Sequence, residues 1–206
     1  MREMVSNKDW VGNAKSIFVC NGASNHTHEE RAEFDFYATE PKAIDKLYAT
    51  GELDCKNIWE CACGEGHLSK RLEELGFKVK STDLVDRGYG QGEIDFFKCT
   101  EMFDGDILTN PPYKKALEFV LKALDLITER HKVFMFLKLT FLEGKTRYKE
   151  LFSKKPPKSI YIFSQRVQCA KNGDFKKYSQ GVGTAVAYAW YVWEKGYNGE
   201  ATIKWI

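Results

Sequence analysis

The residues best equipped for chemistry stand in one short run, Asp106-Ile107-Leu108-Thr109-Asn110-Pro111-Pro112-Tyr113. An apolar stretch ending in Asn-Pro-Pro-Tyr predicts a buried strand stopped by two prolines, which cannot donate to a sheet ladder and which fix their own φ. The turn that follows is rigid. It delivers an amide side chain, a proline carbonyl and an aromatic ring to one place beyond the carboxyl end of a strand, where ligands sit in open α/β sheets. An amide oxygen beside a carbonyl makes a pair of acceptors suited to an NH2 group, and the ring can stack on a flat π-system. Asn110, Pro111, Pro112 and Tyr113 are therefore candidate catalytic residues acting on an amine carried by a planar base or an amide.

A second cluster lies upstream. Asn57 to Cys61 reads as a strand, Ala62-Cys63-Gly64-Glu65-Gly66-His67 as a glycine turn, and the segment through Leu68, Leu72 and Leu75 as a helix ended by Gly76. Phe77 to Ser81 is the next strand, and it ends at Asp83, 19 residues after Gly64. This is the unit of a nucleotide-binding crossover, in which glycines let the backbone approach the ligand and the acid accepts from ribose hydroxyls. Ser69 occupies the position where a dinucleotide fingerprint carries its third glycine, so an adenosine ligand without phosphates fits better than a pyrophosphate.

The other elements must hold these two corners together. Thr39 is suited to cap a helix carrying Ile44, Leu47 and Tyr48, and a long helix is expected from about Lys115 to Glu129. Strands are expected over His131 to Leu139, Ile160 to Phe163 and Thr184 to Trp193, with a short basic helix over Gly144 to Phe152. Arg87 to Gly92 is loop-like. Gln165 to Gly183 is a polar, lysine-rich loop longer than most connections in compact domains, hence a candidate functional loop.

Length and composition set the class. A chain of 206 residues, 43% hydrophobic and 29% charged, fits one globular domain, and no apolar run reaches the roughly 18 residues that span a membrane. Residues 1–33 read as an N-terminal arm and 34–206 as the domain. The start of the chain has no apolar signal core, so a cytoplasmic protein with reduced thiols is expected. Its six cysteines include no C-x-x-C pair, the His26-Thr27-His28 pair sits in a polar stretch, and no metal site is expected. The net charge is +2, yet Lys145 to Lys177 holds ten basic residues against Glu150 and Asp174. This makes 144–183 a candidate polyanion-binding region.

The glycine turn, Asp83, Asp95-Phe96 and Asn110-Pro111-Pro112-Tyr113 together resemble the S-adenosylmethionine-dependent amino-methyltransferases. Asp35-Phe36-Tyr37-Ala38-Thr39 with Pro41, the run Leu137 to Lys145, and the Trp193-Glu194-Lys195-Gly196-Tyr197 ending are similar to small phage-type DNA N6-adenine methyltransferases, over about Phe34 to Ile206. The resemblance implies an α/β, Rossmann-like methyltransferase fold, a mostly parallel seven-strand sheet with a reversed C-terminal strand and helices on both faces. It implies that Phe36, Tyr37 and Thr39 lie over S-adenosylmethionine, that Glu60, Cys63, Gly64 and Gly66 hold its methionine end, and that Asp83 binds its ribose. It also implies that Asp95 accepts from the cofactor's adenine amine, with Phe96 beside that ring. DNA, expected as duplex, is then the partner, with Lys145, Arg147, Lys154, Lys155, Arg166, Lys171, Lys176 and Lys177 as its candidate contacts.

Such a reaction is direct. The N6 lone pair of adenine is delocalised into the ring. Acceptors at Asn110 Oδ1 and the Pro111 carbonyl would favour a pyramidal nitrogen in line with the methyl group, while Tyr113 stacks on the extruded base. Transfer to cytosine C5 needs an attacking thiolate, usually in a Pro-Cys pair, and the chain has none. Two alternatives share the acceptor pair or the fold: an N-methyltransferase acting on RNA or a protein glutamine amide, and a catalytically silent nucleic-acid-binding relative.

Overall fold

The computed structural model of the chain describes residues 37–171, 175 and 186–206. Phe36, Lys176, Lys177, Cys20, the His26 and His28 pair and the arm 1–33 lie outside the described residues. The strands, in chain order, are β1 (Tyr37–Thr39), β2 (Asn57–Glu60), β3 (Lys78–Ser81), β4 (Asp106–Thr109), β5 (Lys132–Lys138), β6 (Ser159–Ile162), β7 (Cys169–Lys171), β8 (Tyr188–Glu194) and β9 (Thr202–Trp205). Seven of them form one sheet in the order β3-β2-β4-β5-β8-β6-β9, and β1 pairs antiparallel with β7 in a separate two-stranded ribbon. Only β8 runs against its neighbours in the large sheet; the other pairings are parallel.

The central strands of the sheet are buried on both faces, which is why β5 reads as an unbroken apolar run with no alternation. Residues still sort by the two-residue period of a strand. Ile58, Leu108, Phe134, Phe136, Trp190, Val192 and Tyr161 face one side. There they meet Ala43, Ile44 and Leu47 of α1 (Lys42–Tyr48) and Leu68 and Leu72 of α2 (His67–Glu74). Trp59, Ile107, Val133, Met135, Leu137, Ile160, Tyr191 and Trp193 face the other side, against Phe119, Val120, Ala123 and Leu124 of α3 (Ala116–Leu126) and Leu151. The segment 145–152 is a turn of α-helix followed by a π-helical turn, Tyr148–Phe152.

From β2 the chain passes outward to β3 and then returns to β4 on the other flank of β2. The strand order therefore reverses between β2 and β4, and the crevice above their carboxyl ends is the place for a ligand. Both candidate corners lie at that rim.

Three expectations change. Thr39 does not cap α1: it ends β1, paired with Cys169, and the helix begins at Lys42, with Pro41 at its cap position. The stretch 165–183 is more than a loop, since it contains β7. The seventh strand of the sheet is β9, at the chain's carboxyl end; its residues are all exposed, so it carries no buried stripe for a sequence pattern to reveal.

Phe134 is fully buried at the centre of the sheet. Phe134→Ala should cost about 3–5 kcal/mol of unfolding free energy, lost transfer energy plus a cavity. Urea denaturation checks this.

Candidate active site

Asn110 sits where β4 ends. Its Nδ2 donates to the carbonyl of Tyr37 at 3.1 Å and lies 3.5 Å from Cys169 Sγ. The acceptor at Tyr37 settles which way the amide points: its NH2 faces the β1–β7 ribbon, and Oδ1 is buried and accepts from no group among the described residues. A buried acceptor left unmade costs about 1–3 kcal/mol, a deficit that a ligand N–H would remove. Pro111, the next residue, is buried as well.

Tyr113 opens a short 3-10 turn. Its hydroxyl lies 3.5 Å from Cys169 Sγ, its ring centroid is 6.0 Å from that of Tyr188 at an interplanar angle of 30°, and Lys138 Nζ stands 5.0 Å from the ring centroid. Tyr188 in turn stacks on Phe136 with centroids 4.9 Å apart. Lys138 and Tyr188 are register partners at the last step of β5 and β8, so the sheet itself places them beside Tyr113. Burial pushes the Tyr113 phenol and the Cys169 thiol well into their neutral forms. Cys169 is thus a wall of the site and no thiolate nucleophile.

The glycine turn is held from both sides. Gly64 and Gly66 have φ of 55° and 79°. The Gly64 N–H donates to Asp83 Oδ2 at 2.8 Å, and Asp83 Oδ1 accepts from the Val85 N–H at 3.0 Å. Asp83 therefore ties the turn to the end of β3, and each of its oxygens keeps a second acceptor position for a hydroxyl. A methyl group on Gly66 would meet the Tyr89 ring at 2.3 Å, so only glycine fits beneath that ring. Glu60 is 2% exposed and accepts a short hydrogen bond from Ser69 Oγ, which also lies 2.7 Å from Ser81 Oγ. Ser69 replaces the third glycine of the fingerprint because its hydroxyl links these two strand ends. Burial pushes the Glu60 carboxyl up to about 8, and it pushes the Cys63 thiol up to about 12.

Asp95 caps the 3-10 turn Phe96–Lys98, accepting from the Phe97 N–H at 3.0 Å. It also lines an open cleft of about 290 Å³ with Glu93, Ile94, Lys98 and Cys99. Phe96 corrects an expectation. Its ring is 2% exposed, stacked on Phe119 at 5.1 Å and edge-on to Trp59 at 5.4 Å. The ring belongs to the core beneath α3 and does not line the cleft. Tyr37 and Thr39 lie on the ribbon beside Asn110, the first through its carbonyl and the second as the register partner of Cys169.

The basic region is not one surface. The connection from β5 to β6 crosses from one rim of the sheet to the other, so residues adjacent in sequence end far apart. Lys154 and Lys155 lie at the rim where β6 begins, remote from Asn110: Lys155 pairs with Asp125 near the end of α3 at 3.6 Å, and Lys154 with Glu150 at 3.5 Å. Arg147 is spent locally on the carbonyls of Thr140 and Glu143 and on the Phe141 ring. Lys145 and Arg166 are exposed at the catalytic rim, and Lys171 stands in β7 opposite Tyr37. Three residues that the sequence reading passed over, Lys114, Lys115 and Lys138, join that rim because they follow directly on Tyr113 and on the end of β5.

No known protein family matches the chain by sequence, and no curated protein does. Solved structures match it by shape. A candidate class I S-adenosylmethionine-dependent methyltransferase from Listeria monocytogenes is 13% identical, with a TM-score of 0.53 over 81% of this chain and 65% of its own. A candidate RNA methyltransferase from Pyrococcus horikoshii is 15% identical, with a TM-score of 0.50 over 75% and 81%. The modification subunit of a candidate type I restriction enzyme from Vibrio vulnificus is 12% identical, with a TM-score of 0.56 over 85% of this chain and 48% of that subunit. The chain has the class I methyltransferase fold. Among the described residues no helix is long and apolar enough to cross a membrane.

Within this methyltransferase fold the state of Glu60 is measurable. A carboxyl with its folded pKa raised to about 8 holds a proton that the unfolded chain releases near its ordinary value of 4.5. Its contribution to stability is complete below about 4.5 and is lost as pH rises through about 8. Thermal unfolding of Glu60→Gln should therefore lack the part of the decline between these limits that the wild type shows; identical pH profiles would place the proton elsewhere.

Proposed function

We propose that the chain is an S-adenosylmethionine-dependent N-methyltransferase that modifies the N6 amine of adenine in DNA. One observation carries the reading: Asn110 is locked by the Tyr37 carbonyl, with a buried Oδ1 beside Pro111 that has no partner among the described residues. An amide so fixed presents an acceptor and no donor to the crevice, which suits an NH2 group and rejects a carbonyl oxygen.

The residues at the other corner fit the proposed donor. Gly64 and Gly66 open the backbone of the turn, Glu60 offers a buried carboxyl beneath it, Asp83 keeps acceptor positions for ribose hydroxyls, and Asp95 faces the adjoining cleft. S-adenosylmethionine supplies a methyl group already activated on a sulfonium. The chain's task is then positioning. Asn110 Oδ1 and the Pro111 carbonyl accept the two amine N–H groups and turn the nitrogen lone pair toward the methyl, and Tyr113 provides the ring on which a flipped base stacks. Tyr188 and Lys138 flank that ring. The raised Cys169 thiol makes a covalent route through sulfur unfavourable.

DNA is favoured as substrate by two features. Lys114, Lys115, Lys145 and Arg166 expose positive charge around the same rim as Asn110. The chain also resembles phage-type adenine methyltransferases in the runs quoted above, and the modification subunit of a candidate restriction enzyme is similar to it in shape.

Incubating the protein with labelled methyl donor and separate DNA, RNA and protein pools, then identifying the modified nucleoside or residue, tests the proposal. N6-methyladenine in DNA is expected; label in RNA or on a glutamine amide would overturn the substrate. Asn110→Ala should bind the donor as the wild type does and lose rate on the order of 10²–10³-fold, the scale for one positioned hydrogen-bond partner. Tyr113→Ala should lose about 1–3 kcal/mol of base stacking, and Tyr113→Phe much less.

Salt dependence separates the two rims. Replacing Lys114, Lys115 and Lys145 by Gln should flatten the slope of log affinity against log salt by about 0.9 per lost phosphate contact with duplex DNA. Replacing Lys154 and Lys155 should leave that slope unchanged.

A further inference from the structure

The rim opposite Asn110 holds a second constellation. The adjacent strands β2, β4 and β5 start there, and they bring together Cys55 just before β2, Asp106 as the first residue of β4, and His131 just before β5. One ligating atom from each lies within 4.8 Å of the other two.

Its hydrogen bonding leaves one buried carboxylate oxygen open. Asp106 is 1% exposed; its Oδ1 accepts from the Lys132 N–H at 2.8 Å, whereas its Oδ2 is buried and accepts from no group among the described residues. The Lys132 ammonium turns away, to Asp54 at 3.0 Å and Glu52 at 3.2 Å. His131 lies between two carboxylates, Nε2 at 3.2 Å from Asp104 Oδ1 and Nδ1 at 3.2 Å from Asp106 Oδ1. When Nε2–H donates to Asp104, the Nδ1 lone pair and the Asp106 carboxylate face each other as two acceptors. A proton on Nδ1 or a cation beside the pair relieves that opposition.

The spacing suits a metal ion. With ligand bonds of about 2.0–2.3 Å, neighbouring donors of a tetrahedral zinc site stand roughly 3.3–3.8 Å apart, close to the separation of His131 Nδ1 and Asp106 Oδ1. Ligating histidines characteristically donate their other ring N–H to a carboxylate, the place Asp104 takes. We propose that Cys55, Asp106 and His131 bind a divalent ion of the zinc class, with Asp104 orienting the His131 ring. A thiolate, an imidazole and a carboxylate select Zn²⁺ or Co²⁺ over Mg²⁺ and Ca²⁺. The Cys55 proton passes to solvent on binding, and the thiolate and carboxylate together neutralise the ion. Cys55 and His131 are half-buried, so a water reaches the fourth position. Asp106 and Asn110 are four residues apart along β4, about 13 Å at 3.3 Å per residue, which separates this site from the methyl-transfer corner. Its effect is to clasp the starts of three strands.

Cobalt titration of the full chain, stripped with chelator, tests this. The expected result is one Co²⁺ per chain, absorption from thiolate-to-cobalt charge transfer, displacement by Zn²⁺, and a higher melting temperature with Zn²⁺. Cys55→Ser should abolish the charge-transfer band. Asp104→Asn changes a residue whose side chain is 92% exposed, and it should weaken the ion by about 10–100-fold while leaving the apo protein's melting temperature in place. Absence of stoichiometric uptake would show His131 to be a plain bridge between two carboxylates, and a band unchanged in Cys55→Ser would place the ion on other thiols; either result overturns the proposal.

Discussion

The hydrogen bond from Asn110 Nδ2 to the Tyr37 carbonyl is the constraint on which the candidate site depends. An amide at a strand end can present either of its faces, and a site for an amine needs only the oxygen. Tyr37 removes the choice. It can do so because β1 is held in place by pairing with β7, which also sets Cys169 against Asn110 and Tyr113. The short ribbon thus fixes the orientation of the residue that the prolines of β4 fix in position. The result is a buried acceptor with no partner among the described residues, a local deficit carried by the surrounding fold.

The large sheet supplies the rigidity that such a site requires. Both of its faces are sealed by aromatic and branched residues, and β8 inserts between β5 and β6 in the reverse direction, so that the longest register in the sheet runs from Lys132–Glu194 to Lys138–Tyr188. The two ends of that register have different uses. At one end Lys138 and Tyr188 frame Tyr113. At the other, the starts of β2, β4 and β5 converge on Asp106 and His131, and the buried ammonium of Lys132 is balanced by Glu52 and Asp54.

Charge follows the same division. Lys145 and Arg166 stay at the catalytic rim, where Lys114, Lys115 and Lys138 join them. Lys154 and Lys155 are carried to the far rim by the connection that returns the chain so that β6 can run in the same direction as β5, with β8 between them. A run of basic residues in sequence is therefore two patches in space.

Much of the fold and of the catalytic corner was legible in the sequence, because the signals are local. Two prolines after an apolar run end a strand wherever the strand lies, a glycine turn between strand and helix needs no distant partner, and the central apolar stretches over 132–138 and 188–194 stay apolar in any buried sheet. What only the tertiary structure decided rests on long-range pairing. The β1–β7 ribbon joins Tyr37 to Lys171, β9 is recruited to an edge with no buried face of its own, and the Phe96 ring is drawn into the core by Phe119 and Trp59. Cys55, Asp106 and His131 meet only because their strands are neighbours in the sheet. Such contacts link residues tens of positions apart, and neither side-chain periodicity nor turn chemistry carries a record of which strand will lie beside which.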